Sequence, residues 1–265
     1  MLPYIYVAGR DVSMYGVCMA IGIAVAFTTA AFRVKKRKES IDTLLEVAAV
    51  ALALALFGAK LAYYIFSYGI VRLISEIFSG DFHGFELSGL VWYGGLFGGL
   101  VGAYVAMRFN HVNSSLYLNA TVPCIPLGHA FGRIGCLFAG CCYGLYYDGE
   151  FAIHSVYVNP AETLFPIQAL ESSLNLILFI IFSIYTNKER NGMVTLFLYF
   201  ILYSIIRFIL EFFRGDIIRG FYLGLSTSQW ISAFLFIVSI IVIALNRRGK
   251  FQSNRKNVRR KSRCQ

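Results

Sequence analysis

The chain of 265 residues is 58% hydrophobic and 14% charged, with a mean hydropathy of +0.65. A soluble domain of this length needs far more polar surface, so composition points to a polytopic helical membrane protein of a single domain. The net charge of +10 does not indicate nucleic acid: five Lys and Arg cluster at Arg33–Lys38 and nine at Arg247–Arg263, with no aromatic platform or folded module behind them.

In chain order, seven spans are predicted at roughly 11–32, 41–67, 88–108, 114–136, 166–186, 193–213 and 226–246. The opening segment does not read as a cleavable signal peptide, because its basic cluster follows the apolar run. Connections 33–40, 109–113 and 187–192, together with the tail, hold most of the Lys and Arg. The positive-inside rule therefore puts them in the cytoplasm, with the N-terminus extracytoplasmic and the C-terminus cytoplasmic. The expected division is a seven-helix all-α membrane domain over 1–246 and a basic cytoplasmic tail over 247–265. Segments 68–87, 145–165 and 214–225 form a small extracytoplasmic loop region. Of these, "SYGIVRLISEIFSGDF" suits a short helix in the interface, and "YYDGEFAIHSVYVNPAETLFP" a loop carrying short strands.

Charge inside the spans is informative, since it costs at least about 2.5 kcal/mol there. Arg10 and Arg72 read as surface charges, and Lys60 as a residue able to snorkel. Arg133 and Arg207 fall within apolar helices towards their outer ends. In "RFILEFFRGD", Arg207 and Glu211 are four apart and share a helix face, which Arg214 extends to the rim. Alone, that pair reads equally as a structural lock. With Arg133 at similar depth and one evident carboxylate, the two arginines are expected to repel unless an anion sits between them. Phosphate suits the place, because guanidinium groups bind its oxygens in pairs.

"WYGGLFGGLVG" spaces small residues four apart, the pattern of close helix packing. Bare backbone at Gly94 and Gly95 would also admit a lipid headgroup. Gly132, Gly135, Gly140 and Gly144 would do the same around Arg133 and end that helix near the outer surface, a break tolerated where it lines a cavity.

Read together, these blocks resemble one family, the bacterial prolipoprotein diacylglyceryl transferases. "GRIGCLFAGCCYG" is similar to the family signature, "YGGLFGG" to its His-Gly-Gly-Leu block, and "FPIQALE" to its Pro-Ser-Gln-Leu-Tyr-Glu block. "RFILEFFRGD" resembles its arginine-rich penultimate helix, and "MYG" a Tyr-Gly near its first span. The order is the same from about residue 11 to 246. The resemblance implies an enzyme of the bacterial plasma membrane that needs no cofactor. It would transfer diacylglycerol from phosphatidylglycerol to the thiol of a lipoprotein-precursor cysteine, forming a thioether and releasing glycerol phosphate. It implies that Arg133 and Arg207 hold the phosphate, that Glu211 orients Arg207, and that Tyr15, Gln168, Glu171 and Arg214 line or close the site.

The chain departs from the family pattern where it has Tyr93 for the histidine before Gly-Gly, and Cys136, Ala139 and Cys141 for Asn, Asn and Glu of the signature. His129, one turn before Arg133, is the expected substitute base for the thiol, against the alternative of a buried histidine bonded to a carbonyl. Cys18 and Cys124 read as small apolar residues, and Cys264 lies in the tail. For Cys136, Cys141 and Cys142, packing, a disulfide or a covalent lipid-carrying thiol remain open. No metal centre is expected, since C-x4-C-C lacks a second ligand pair and only His129 is near in sequence. Besides the transferase, a non-catalytic lipid-binding membrane protein and a thiol-redox membrane protein stay open as readings, as does a paralogue with another acceptor.

Overall fold

The computed structural model describes residues 3–7, 9–79, 91–155, 158–159, 162–215 and 221–261. Two compact units are present, one of Met1–Arg33 with Leu118–Gln265 and one of Val34–Tyr117.

The first begins with a hairpin, β1 (Tyr4–Val7) and β2 (Arg10–Ser13), closed by Gly9 at φ 83°. Pairing of Arg10–Ser13 with β1 delays the first span, so α1 runs over Met14–Lys36 rather than from residue 11.

In the second unit, Ser40 caps α2 (Ile41–Tyr68) by accepting from the Thr43 N–H at 3.2 Å. Gly69, at φ 81°, turns the chain into α3 (Ile70–Ser79). This helix exposes Ile70, Val71, Ile74 and Phe78 and pairs Arg72 Nε with Glu76 Oε1 at 3.1 Å, as suits a helix lying in an interface. Next comes α4 (Trp92–Phe109), which packs on α2 through Gly94, Gly98 and Gly102. A Cβ at Gly98 would lie 2.1 Å from the Leu54 carbonyl oxygen, so the two backbones touch there. Gly98→Ala is therefore expected to cost about 1–3 kcal/mol by overpacking. Gly95→Ala, whose Cβ meets Ala55 O and Ala59 Cβ at an ordinary 3.5 Å, should leave stability unchanged. Thermal unfolding of both variants in detergent checks the contact, and a Gly98→Ala protein as stable as wild type would refute it.

The span expected over 114–136 is broken into α5 (Ser114–Thr121) and α6 (Cys124–Ala139). Pro123 and Pro126 withhold the N–H groups that a continuous helix needs there. In the first unit α6 lies against α1: a Cβ at Gly22 would fall 2.6 Å from Phe131 Cβ, and one at Gly135 3.1 Å from Cys18 Cβ. Then follow α7 (Ile167–Tyr185), α8 (Gly192–Leu210), a 3-10 turn (Glu211–Phe213), the hairpin β3 (Phe221–Tyr222) with β4 (Leu225–Ser226), and α9 (Thr227–Lys261). The last helix carries on past residue 246 into the basic segment expected as a separate tail. The loop expected to carry strands forms bridges from Leu164 to Tyr146 and to Ile153.

Among the described residues, six helices are long and apolar enough to cross a membrane, counting Ser114–Ala139 as one, and α4 adds a shorter apolar helix over Gly94–Phe109. The chain is an all-α polytopic membrane protein. Arg33, expected to belong to a surface cluster, is half-buried instead. Its Nε donates to the Ala120 carbonyl at 2.9 Å and its Nη2 to the Thr186 hydroxyl, tying the ends of α5 and α7 to α1.

Candidate functional site

One face of α7 is polar where an apolar span should be featureless. Gln168, Glu171, Ser172 and Asn175 follow helical spacing and are each at most 4% exposed. Buried polar groups need partners, and α6 supplies them. Ser172 Oγ donates to the Ala130 carbonyl at 3.0 Å, and Glu171 Oε1 lies 3.0 Å from Arg133 Nη2. His129, one turn before Arg133, is 3.7 Å from the same oxygen, and its Nε2 accepts from Arg133 Nε at 3.3 Å. From α8 the Tyr203 ring closes on His129, with centroids 5.4 Å apart.

The second arginine sits at the end of α8. Arg207 Nη2 contacts Glu211 Oε2 at 2.6 Å and donates to Ser228 Oγ of α9 at 3.2 Å. Glu211 is held in turn, its Oε1 accepting from Ser226 Oγ at 2.9 Å. Arg207 Nη1 is buried and makes no hydrogen bond among the described residues. Both Arg207 and Arg214 lie close enough to Glu171 to act on it electrostatically, so the two arginine–carboxylate pairs form one cluster.

This corrects the expectation that the arginines share one carboxylate and must be bridged by an anion. Glu171 is the second carboxylate, and each arginine has its own. Arg214 adds a third guanidinium within electrostatic reach of Glu171.

At the end of α6, Gly140 at φ 77° stops the helix, and Cys142 at φ 59° turns the chain again. Gln168 Nε2 donates to the Cys141 carbonyl at 2.7 Å, and Ser155 Oγ to the Gly140 carbonyl at 2.6 Å. The sulfur atoms of Cys136, Cys141 and Cys142 lie within 4.8 Å of one another, and no disulfide joins the described cysteines. Gly144 is pinned where two chains pass. Its N–H donates to Phe165 O at 3.2 Å, it bridges to Arg214, and a Cβ there would meet Phe165 O at 2.5 Å.

Of the residues expected at a site, Arg133, His129, Glu171, Gln168, Arg207, Glu211, Arg214, Cys136 and Gly144 belong to this unit and bear on the cluster. Tyr15 opens α1, is 41% exposed, and rests on Gly135. Gly132 and Gly135, expected to admit a headgroup, face Met19 Sδ and Cys18 Cβ instead, so their bareness serves the α1–α6 contact. Gly94 and Gly95 face α2 in the other unit. Tyr93 is helical there, and its side chain lies outside the described residues. Ser172, Asn175, Ser226 and Ser228 were not singled out from sequence. The polar periodicity of α7 was the available signal for the first two.

A family model described as prolipoprotein diacylglyceryl transferase matches residues 3–245. A Clostridium tetani protein named phosphatidylglycerol–prolipoprotein diacylglyceryl transferase is 32% identical over 249 residues, covering 90% of this chain and 95% of that protein. Its namesake numbered 2 in Clostridium perfringens is 31% identical over 256 residues, covering 94% and 96%. One from Dehalococcoides mccartyi is 33% identical over 243 residues, covering 88% and 86%. The match extends from the N-terminal hairpin to the apolar part of α9 and takes in both arginine–carboxylate pairs, and so the chain belongs to the prolipoprotein diacylglyceryl transferase family.

Proposed function

We propose that this chain transfers diacylglycerol from phosphatidylglycerol to the thiol of a cysteine in a lipoprotein precursor. The observation that carries the reading is the buried Arg207 Nη1, which makes no hydrogen bond among the described residues and lies in a cluster that brings three arginines together. A phosphodiester oxygen supplies an acceptor for that donor and suits guanidinium geometry. In the reaction the bond from the glyceryl carbon to the phosphate oxygen breaks, and glycerol phosphate leaves with the electron pair. The acceptor sulfur takes that carbon, and its proton goes to solvent. Arg207 and Arg133 are fixed before the reaction by Glu211, Ser228 and Glu171. They stabilise the charge that develops on the phosphate without reorganising. Glu171 and Glu211 orient them, Arg214 adds to the field, and Gln168 braces the turn after α6.

His129 turns Nε2 towards Arg133, which suits a positioning role better than that of thiol base. The basic connections and tail favour an extracytoplasmic N-terminus in a bacterial plasma membrane, and the hairpin and cysteine turn would then face outside. Purified protein in phosphatidylglycerol vesicles, given a precursor peptide with its acceptor cysteine, should release glycerol phosphate and yield peptide heavier by one diacylglyceryl group. Vesicles of phosphatidylcholine should give neither. Equal release without the peptide would refute transfer to a thiol.

A further inference from the structure

The three clustered cysteines are not needed to hold phosphate, yet the fold brings them together with care. Gly140 and Cys142 take left-handed conformations, at φ 77° and 59°, which return the chain upon the last turn of α6. As a result Cys141 and Cys142 meet Cys136, all three sulfurs lying within 4.8 Å of one another. Hydrogen bonds from Gln168 and Ser155 to the carbonyls of Cys141 and Gly140 fix the turn from outside. Spacing alone argued against a metal, because it shows neither reversal of the chain.

We propose that Cys136, Cys141 and Cys142 are the ligands of one zinc ion, whose remaining position takes the acceptor cysteine as a thiolate. Zinc–sulfur bonds of about 2.3 Å in tetrahedral array set the sulfurs about 3.8 Å apart, so each need move by no more than about 1 Å. Sulfur ligands suit a soft d10 cation over magnesium or calcium. No fourth Cys, His, Asp or Glu joins the cluster among the described residues, and three protein ligands with one open position is the pattern of catalytic zinc. Three thiolates on zinc carry one net negative charge. Arg133, three residues before Cys136 on α6, sets the metal beside the phosphate grip.

The role rests on the transferase reading. Thioether formation needs a thiolate, and His129 Nε2 already accepts from Arg133. Coordination removes the proton directly: the acceptor S–H gives it to water as sulfur binds zinc. That sulfur then forms the C–S bond as the C–O bond to phosphate breaks, and glycerol phosphate leaves with the electron pair. Nothing is oxidised or reduced. The neutral thioether is a poor ligand and departs.

The test uses the full chain in phosphatidylglycerol nanodiscs, kept reduced and titrated with Zn(II). One zinc per chain is expected, bound more than about 100-fold more weakly in Cys136→Ser, Cys141→Ser and Cys142→Ser. X-ray absorption at the zinc edge should count three sulfurs at rest and four with the precursor peptide. Since a serine variant can fail to fold, wild-type protein stripped by a chelator should lose transfer and regain it with Zn(II). Binding well below one zinc per chain, or unaltered by the three substitutions, overturns the site. Transfer that persists in zinc-free protein overturns the activation step and leaves the transferase reading intact. If zinc binds through three sulfurs but the loaded protein releases no glycerol phosphate, the transferase reading and the acceptor step fall together, while the metal site stands.

Discussion

Arg133→Ala is expected to remove diacylglyceryl transfer, by at least about 10³-fold, and to destabilise the protein by about 3–5 kcal/mol. The two effects have separate causes. Stability falls because Glu171, 1% exposed, loses its partner at 3.0 Å and is left as an uncompensated buried charge. Transfer falls because the phosphate loses one of the two guanidinium groups meant to hold it. A double variant separates them. Arg133→Met with Glu171→Met replaces the ion pair by apolar side chains of similar volume, and should recover most of the lost stability, since a buried pair is worth little over a well-packed apolar one. Transfer should stay absent. Unfolding titrations in mixed micelles and glycerol phosphate release would measure the two. If the double variant transfers at the wild-type rate, the pair is a structural lock and the phosphate lies elsewhere. His129→Ala belongs in the same series. Loss of a group that orients Arg133 should cost about 10²-fold, and a loss as complete as that of Arg133→Ala would return His129 to the role of thiol base.

The contrast between the two arginines shows what spacing can and cannot reveal. Arg207 and Glu211 are one helical turn apart, so their pairing is written locally and was legible. Arg133 and Glu171 lie on different helices, and nothing in the spacing of either tells that they meet. The resemblance to a family put Glu171 at the site but gave it no partner, hence the mistaken count of one carboxylate. Prolines at 123 and 126 were legible as a break in the fourth span and were passed over because the hydropathy across them is continuous. The N-terminal hairpin was hidden for a similar reason, since Tyr4–Val7 and the start of α1 are both apolar. Glycines carried the opposite lesson. In α4 their four-residue spacing announced close packing and the structure shows it. At Gly132 and Gly135 the same bareness was assigned to a ligand, although α1 fills it. The cysteines were hardest to read, because their meeting depends on two left-handed residues, and one of them, Cys142, is not a glycine.

Arg207→Lys should prove nearly as damaging to catalysis as Arg133→Ala while sparing the fold. Lysine keeps the positive charge beside Glu211, whose Oε1 is also held by Ser226, so the buried pair survives and stability should fall by well under the about 3–5 kcal/mol expected when such a pair is broken. What lysine lacks is the planar fork. Arg207 gives Nη2 to Glu211 and Ser228, and its buried Nη1 makes no hydrogen bond among the described residues, so one guanidinium can be anchored and grip a phosphate oxygen at once. A single ammonium at the end of a shorter reach cannot do both. Removing one preset donor to a developing oxyanion costs about 10²–10³-fold in rate, and that is the expected loss in glycerol phosphate release at saturating phosphatidylglycerol. Ser228→Ala should weaken only the anchor, at about 1 kcal/mol, because Glu211 still holds Nη2. The ordering matters more than either value: lysine must hurt transfer more than stability, and loss of Ser228 must hurt both slightly. Should Arg207→Lys retain the wild-type rate and apparent affinity for phosphatidylglycerol, charge alone would suffice at this position, and Nη1 would have no part in holding the headgroup.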